Sequence, residues 1–282
     1  MSGENVVSSE EPASTPSTPG SSVDEEKYLV PYRIRPRVKK KWLRIENVPI
    51  ATIAVTIIQI AFHIFSTPSV EKHLRFEPSK RTQIWRFLTY MLVHDDWYHL
   101  LLNVVIQCIF AILLEKRQGR FRVLVLYFLG GVTGVMGASC VHPNMVIGAS
   151  AGVYALLISN IADIVLNSTA VRFKIYRVCS IGVLVLFDVI YNIVHIYARK
   201  EPVISWEAHV VGGISGLLIG FLIFKSDCQT EKLSERKTIF NAIFWTSLVL
   251  YCTMLIGLVL VSVQIKKCTP ASDIYVKYVY FC

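Results

Sequence analysis

Ile147-Gly148-Ala149-Ser150-Ala151-Gly152-Val153-Tyr154 is the stretch on which the reading of this chain turns. A serine stands there with a glycine two residues before it and another two after. Glycines at those places let the backbone turn tightly and let neighbouring groups approach the hydroxyl, a familiar setting for a nucleophile. In soluble hydrolases such a serine sits between a strand and a helix. Here a short polar break, Cys140 to Met145, precedes it, and apolar runs lie on both sides. Ser150 therefore starts a helix that enters a membrane. The pattern also has a plainer use, because small residues four apart let membrane helices pack closely. Five residues do not choose between the two, so the flanking chain must.

The 282 residues are 53% hydrophobic and only 17% charged, with a mean hydropathy of +0.49. The apolar residues come in blocks, which places the chain in the membrane class. Runs long enough to span cover about Val48–Ser66, Tyr98–Leu114, Phe121–Cys140, Gly148–Leu166, Ile175–Tyr197, Trp206–Phe224 and Phe240–Val263. Lipid offers no hydrogen bonds, so each run is expected to be a helix. The expected fold is all-α: a polytopic membrane bundle of seven transmembrane helices. Residues 45–265 form that membrane domain. Residues 1–44 are an acidic, Ser- and Pro-rich tail followed by a basic juxtamembrane segment, and 266–282 are a short polar tail. Met1 to Glu26 lacks the apolar density to fold, and no apolar h-region follows its start, so it does not read as a signal peptide.

The net charge of +9 is concentrated. Much of it lies between Lys27 and Arg44, before the first run, where it suits anionic lipid; no basic helix interleaved with aromatics suggests nucleic acid. Lys116, Arg117, Arg120 and Arg122, then Arg172, Lys174 and Arg177, then Lys225, Lys232, Arg236 and Lys237 fall on the same side if every run spans. The positive-inside pattern makes that side and the N-terminus cytosolic, and the tail after the seventh run lumenal or extracellular. The first lumenal loop is also basic, with Lys72, Arg75, Lys80 and Arg81. Asn167-Ser168-Thr169 fits a glycosylation sequon but lies on the cytosolic side, so no glycan is expected there. None of the seven cysteines forms a CxxC pair, and a zinc site is not expected. Cys268 and Cys282, in the last tail, would meet an oxidising compartment where a disulfide can form.

That orientation brings three polar groups to one depth. Ser150 opens the fourth run, His209 lies near the start of the sixth, and His99 and Asn103 lie one turn apart at the start of the second. Ionisable groups at membrane depth are costly and point to function. Gly148 and Gly152 are four apart, as are Ala208, Gly212, Gly216 and Gly220. A hydrogen bond between Ser150 and His209 would need the fourth and sixth helices to nearly touch, which small residues permit. Asp188, Asn192 and His195 share a face of the fifth run, either lining a watery gap or forming a structural hydrogen-bond cluster. The structural cluster is the favoured reading. His63 reads as a packing histidine, and Glu115 with Arg117 as an anchor at the end of the second run.

Together these residues resemble the rhomboid family of intramembrane serine proteases. The resemblance runs nearly from the first run to the seventh. It includes Trp85-Arg86, His94, His99, Asn103, Glu115-Lys116-Arg117, the Gly148–Gly152 stretch with Tyr154, and Ala208-His209 with Gly212 and Gly216. A six-helix core with one more C-terminal helix is similar to the animal secretase type. The resemblance implies Ser150 as nucleophile and His209 as general base in a dyad, with no aspartate assigned to the imidazole. Tyr154 would pack on the His209 ring. Asn103, His99 and the Ser150 backbone N–H would stabilise the oxyanion, with Gly148 supporting the turn.

The implied activity is a serine endopeptidase that cuts a peptide bond in or near the transmembrane helix of single-pass membrane proteins, needing no cofactor or metal. EGF-like growth-factor precursors are the implied substrates, in the Golgi, the endoplasmic reticulum or the plasma membrane. The alternative is a non-catalytic trafficking or quality-control factor that binds transmembrane helices in the same groove. A small-molecule transporter is weakened by the lack of an inverted repeat.

Overall fold

A computed structural model describes residues 48–141, 145–197, 205–226 and 233–268. The chain divides into two units, Met1–Trp42 and Leu43–Cys282; the first lies outside the described residues, as do the expected basic segment and residues 269–282 of the expected last tail. The described residues of the second unit form helices joined by turns and loops, with one isolated antiparallel bridge, Phe76 with Val146.

Seven apolar helices account for the seven runs: α1 (Ile50–Phe65), α4 (Trp97–Gln118), α5 (Arg120–Val141), α6 (Ser150–Leu166), α7 (Lys174–Tyr197), α8 (Trp206–Ile223) and α9 (Leu233–Cys268). Two short helices, α2 (Pro68–Leu74) and α3 (Arg86–Thr89), lie in the loop between α1 and α4. Five of the seven are long and apolar enough to cross a bilayer alone, whereas α1 and α6 are shorter. This is a multi-pass integral membrane protein. The second run, the shortest in the sequence, extends to Gln118 because Gly119, at φ +88°, is what ends it. At 17 residues α6 is about 25 Å long, less than the roughly 30 Å hydrocarbon layer. A short helix in the middle of a bundle starts below the surface, and Ser150 is its first residue.

Helix α6 is the centre of the bundle. Ala155, Ser159, Asn160, Ala162 and Asp163 on it are fully buried, although they point to different sides. Helices α5 and α8 press on it through small residues. A Cβ added at Gly130 or Gly134 of α5 would fall on Ala155 or Ala151. One added at Gly212 of α8 would stand 2.5 Å from the Ala151 carbonyl oxygen, and one at Gly220 would stand 2.9 Å from Ala162 Cβ. The row Ala208, Gly212, Gly216, Gly220 is thus the face by which α8 meets α6. Helix α7 touches the bundle lightly, leaving Phe187, Ile190 and Ile193 exposed. Helix α9 packs on α8 and α5, where Tyr251 meets the Thr133 hydroxyl at 3.3 Å.

Polar clasps close the end of the bundle away from Ser150. Glu115 of α4 accepts from the backbone N–H of Ala51 (2.9 Å) and Thr52 (2.8 Å) and from the Thr52 hydroxyl (2.7 Å), holding the first turn of α1. Arg117 reaches elsewhere, to fully buried Asp163 on α6 at 2.9 Å. The two residues read together as one anchor are therefore two anchors, because positions two apart on a helix face different neighbours. Asp163 also accepts from Gln118 (2.8 Å), Asn167 (3.2 Å) and Arg177 of α7 (3.2 Å). His63 packs edge-to-face on Trp97, with ring centroids 4.6 Å apart.

Candidate active site

The segment before Ser150 is tied at every step to the loop between α1 and α4. Val146 and Phe76 exchange two backbone hydrogen bonds of 3.1 Å. Gly148 N–H donates to the Tyr90 carbonyl at 3.2 Å, and Ala149 N–H donates to His94 Nε2 at 3.4 Å. His94 Nδ1 lies 3.3 Å from the Leu92 carbonyl. The two bonds fix one neutral tautomer, with the proton on Nδ1 and Nε2 accepting. Burial, with His99 close by, pushes the His94 imidazole down to about 3, so it stays neutral. The loop itself is organised by buried Arg86, which donates to the carbonyls of Lys72 (3.0 Å) and Arg75 (2.5 Å) and to the Gln83 side chain (2.5 Å). Trp85 stacks on His73 at 5.6 Å.

Gly148 has no substitute. Its φ is +93°, and an added Cβ would stand 2.6 Å from His99 Cε1 and Nε2. The His99 ring therefore lies against the turn that delivers Ser150. His99 and Asn103 follow the start of α4, whose first turn is capped by the Asp96 carboxylate accepting from His99 N–H at 2.7 Å. Asn103 is buried and gives one amide N–H to the His99 carbonyl at 2.9 Å, which leaves its second donor.

Tyr154 lies one turn after Ser150 on α6, and its ring stacks on His209 with centroids 4.5 Å apart and planes within 6°. The Gly212–Ala151 contact sets α8 at the depth where this stack forms. Ser150 and Tyr154 are half-buried and His209 is buried. Among the described residues no hydrogen bond joins Ser150 to His209. Such bonds are often long in unliganded sites and tighten on substrate binding.

His209 makes a different hydrogen bond, one that no spacing in the sequence indicates. Its Nδ1 lies 3.1 Å from Asp188 Oδ2 on α7. Asn192 in turn donates to Asp188 Oδ1 (3.2 Å) and to its carbonyl (2.8 Å). Of the three residues expected to share that face, Asp188 and Asn192 bond to each other, and Asp188 also reaches the imidazole that the family resemblance leaves without an acidic partner. The spacing of Asp188 and Asn192 signalled a shared face on α7; which helix that face meets depends on how α7 is rotated, which hydropathy does not give. The side chain of His195 lies outside the described residues, as do the side chains of Cys268 and Cys282. No group of three or more His, Cys, Asp or Glu residues suited to a metal occurs among the described residues.

Fold and site define a polytopic membrane protein with a serine, two histidines, an amide and a tyrosine gathered at one end of three helices. A family model described as the rhomboid domain matches residues 81–226, more than half of the chain, and the protein belongs to the rhomboid family. It is similar to Rhomboid-related protein 2 of Mus musculus, with 28% identity over 78% of this chain and 81% of that one. Rhomboid-related protein 1 of Caenorhabditis elegans is 31% identical over 62% of this chain and 51% of its own length. Inactive rhomboid-related protein 2 of the same species is 25% identical over 72% and 60%. A relative named as a protease, Rhomboid-like protease 5 of Toxoplasma gondii, matches as well, so the family holds a member named as a protease and one named as inactive.

Proposed function

We propose that this protein is an intramembrane serine protease acting on single-pass membrane proteins. The observation that carries the reading is the placement of His209 on the Tyr154 ring, one helical turn from Ser150, with α8 held against α6 by Gly212. In this scheme Ser150 Oγ attacks the carbonyl carbon of the scissile bond while His209 takes its proton. The negative oxygen is met by the Ser150 N–H, the Asn103 amide and His99; one such donor is typically worth about 2.7–4 kcal/mol. Collapse breaks the C–N bond, and His209 returns the proton to the leaving amine. Water, activated by the same imidazole, then releases the acyl group from Ser150.

In this reading the membrane domain spans residues 45–265. The end bearing Lys116, Arg117, Arg120 and Arg122 faces the cytosol, as does the N-terminus, so cleavage occurs toward the lumenal or extracellular side and releases an ectodomain. EGF-like growth-factor precursors are the substrate class by family resemblance, in a Golgi, endoplasmic reticulum or plasma membrane setting. A second reading, helix binding without catalysis, is favoured by the relative named inactive. One experiment separates the two. The purified protein in liposomes is incubated with a single-pass substrate beside Ser150→Ala and His209→Ala. Turnover should be present in the first and absent in both variants, because members of a catalytic unit fail together. Binding without turnover in the wild type selects the second reading, and turnover in Ser150→Ala removes the first.

A further inference from the structure

We infer that Asp188 is a positioning residue for His209, orienting the imidazole of the Ser150–His209 pair; this rests on the protease reading above. A carboxylate in the middle of an apolar helix is costly and is kept where something requires it. Asp188 stands midway along α7, a helix otherwise lined with exposed apolar residues. Its Oδ2 lies 3.1 Å from His209 Nδ1, and Asn192 fixes the other oxygen at 3.2 Å.

An ionised carboxylate only accepts hydrogen bonds, so the proton of a neutral imidazole must sit on Nδ1. That leaves the lone pair on Nε2, the atom that has to take the serine proton. Asn192 also holds the carboxylate in place. Asp188 and Asn192 border a cavity of about 310 Å³ between α7 and α8, also lined by Val189, Ile193, Trp206 and Val210. The Tyr154 phenol lies beside the same carboxylate, while its ring fixes the plane of the imidazole. Tyr154 thus sets the ring plane, and Asp188 sets its rotation and tautomer.

A structural cluster would use the same atoms to pin α7 to α8, so the test needs readouts that pinning does not move. Asp188→Asn keeps the shape but offers an amide that can turn its N–H toward Nδ1 and select the wrong tautomer. We expect kcat to fall about 100-fold with KM within twofold of wild type, and Asp188→Glu to recover about tenfold of that loss. In ¹⁵N-histidine spectra, with His209 assigned by its loss in His209→Gln, the proton should leave Nδ1 in Asp188→Asn. Wild-type kcat in Asp188→Asn, or an unchanged tautomer, overturns the inference. So does an equal loss in Asn and Glu variants that tracks a fall in thermal stability. If Asp188→Asn does not fold, Asn192→Ala keeps the carboxylate and loosens its clamp; kcat should then drop about threefold to tenfold, and no drop is the overturning result. Turnover in Ser150→Ala would sink the protease reading separately, and the tautomer measurement would still decide the role of Asp188.

Discussion

His94 shows how a single side chain can prepare a site without touching substrate. Both of its ring nitrogens are engaged, one by the Leu92 carbonyl and the other by Ala149 N–H, the residue before the candidate nucleophile. Protonation would put a donor against a donor at Ala149. In the folded protein the imidazole titrates at about 3, against 6.5 when free, because burial penalises its charge. Between those values the unfolded chain binds a proton that the folded chain does not. The stabilisation from neutral His94 is therefore complete above about pH 6.5 and is lost as pH falls toward 3, by up to about 1.4 kcal/mol per unit. Thermal midpoints measured at pH 7, 6 and 5 should decline more steeply for the wild type than for His94→Gln. Parallel declines would show that the acid sensitivity lies elsewhere. Part of this was legible in the sequence: His94 is among the residues that carry the family resemblance, but its partner Ala149 could not be read, because it lies 55 residues further along the chain.

At the scale of elements, hydropathy located all seven helices because a lipid-facing helix must be apolar along its whole length, whatever it packs against. The glycine row of α8 also told which face meets α6, since only small residues allow backbones so close. The reading failed where a contact depends on rotation or on distant pairing. Asp188 reaches His209 from α7, and Glu115 caps α1 rather than joining Arg117; neither has a signal in spacing alone. The glycine row carries its own test. A side chain at Gly212 meets backbone, with Ala151 oxygen at 2.5 Å, carbonyl carbon at 3.0 Å and Cα at 3.1 Å. Backbone cannot turn aside, so Gly212→Val must part the two helices at the level of the site. A displacement of about 1 Å can cost around a hundredfold in rate. Gly220→Val presses on the Ala162 side chain at 2.9 Å, two turns deeper, and should cost stability while keeping turnover per folded molecule within a few-fold. Comparing the two variants in one detergent, by kcat per folded molecule, decides this; equal and near wild-type rates would show that the α6–α8 contact does not set the site.

Across the whole molecule the polar groups divide by end. One end holds Ser150, His209, His99, Asn103 and Asp188, several of them half-buried and only partly hydrogen-bonded, as a site awaiting substrate must be. The other end holds Asp163, with no exposed surface, in contact with Arg117, Gln118, Asn167 and Arg177 from three helices. Gln118 and Asn167 both also donate to the Lys225 carbonyl, at 3.2 and 2.9 Å, and so bind the end of α8 into the same knot. The division implies that stability and catalysis can be damaged separately. Asp163→Ala leaves the guanidinium of Arg177 buried without its carboxylate, and breaking a buried pair on one side typically costs about 3–5 kcal/mol. That loss should appear as a lower unfolding midpoint, while molecules that remain folded should turn over within a few-fold of wild type, because the knot lies at the opposite end of α6 from Ser150. Asn103→Ala should do the reverse, slowing turnover with little change in the midpoint, since its one described bond is to the His99 carbonyl of its own helix. Both quantities are measured on both variants. If Asp163→Ala slows folded molecules as much as Asn103→Ala does, the two ends are mechanically coupled through α6, and the separation of roles is wrong.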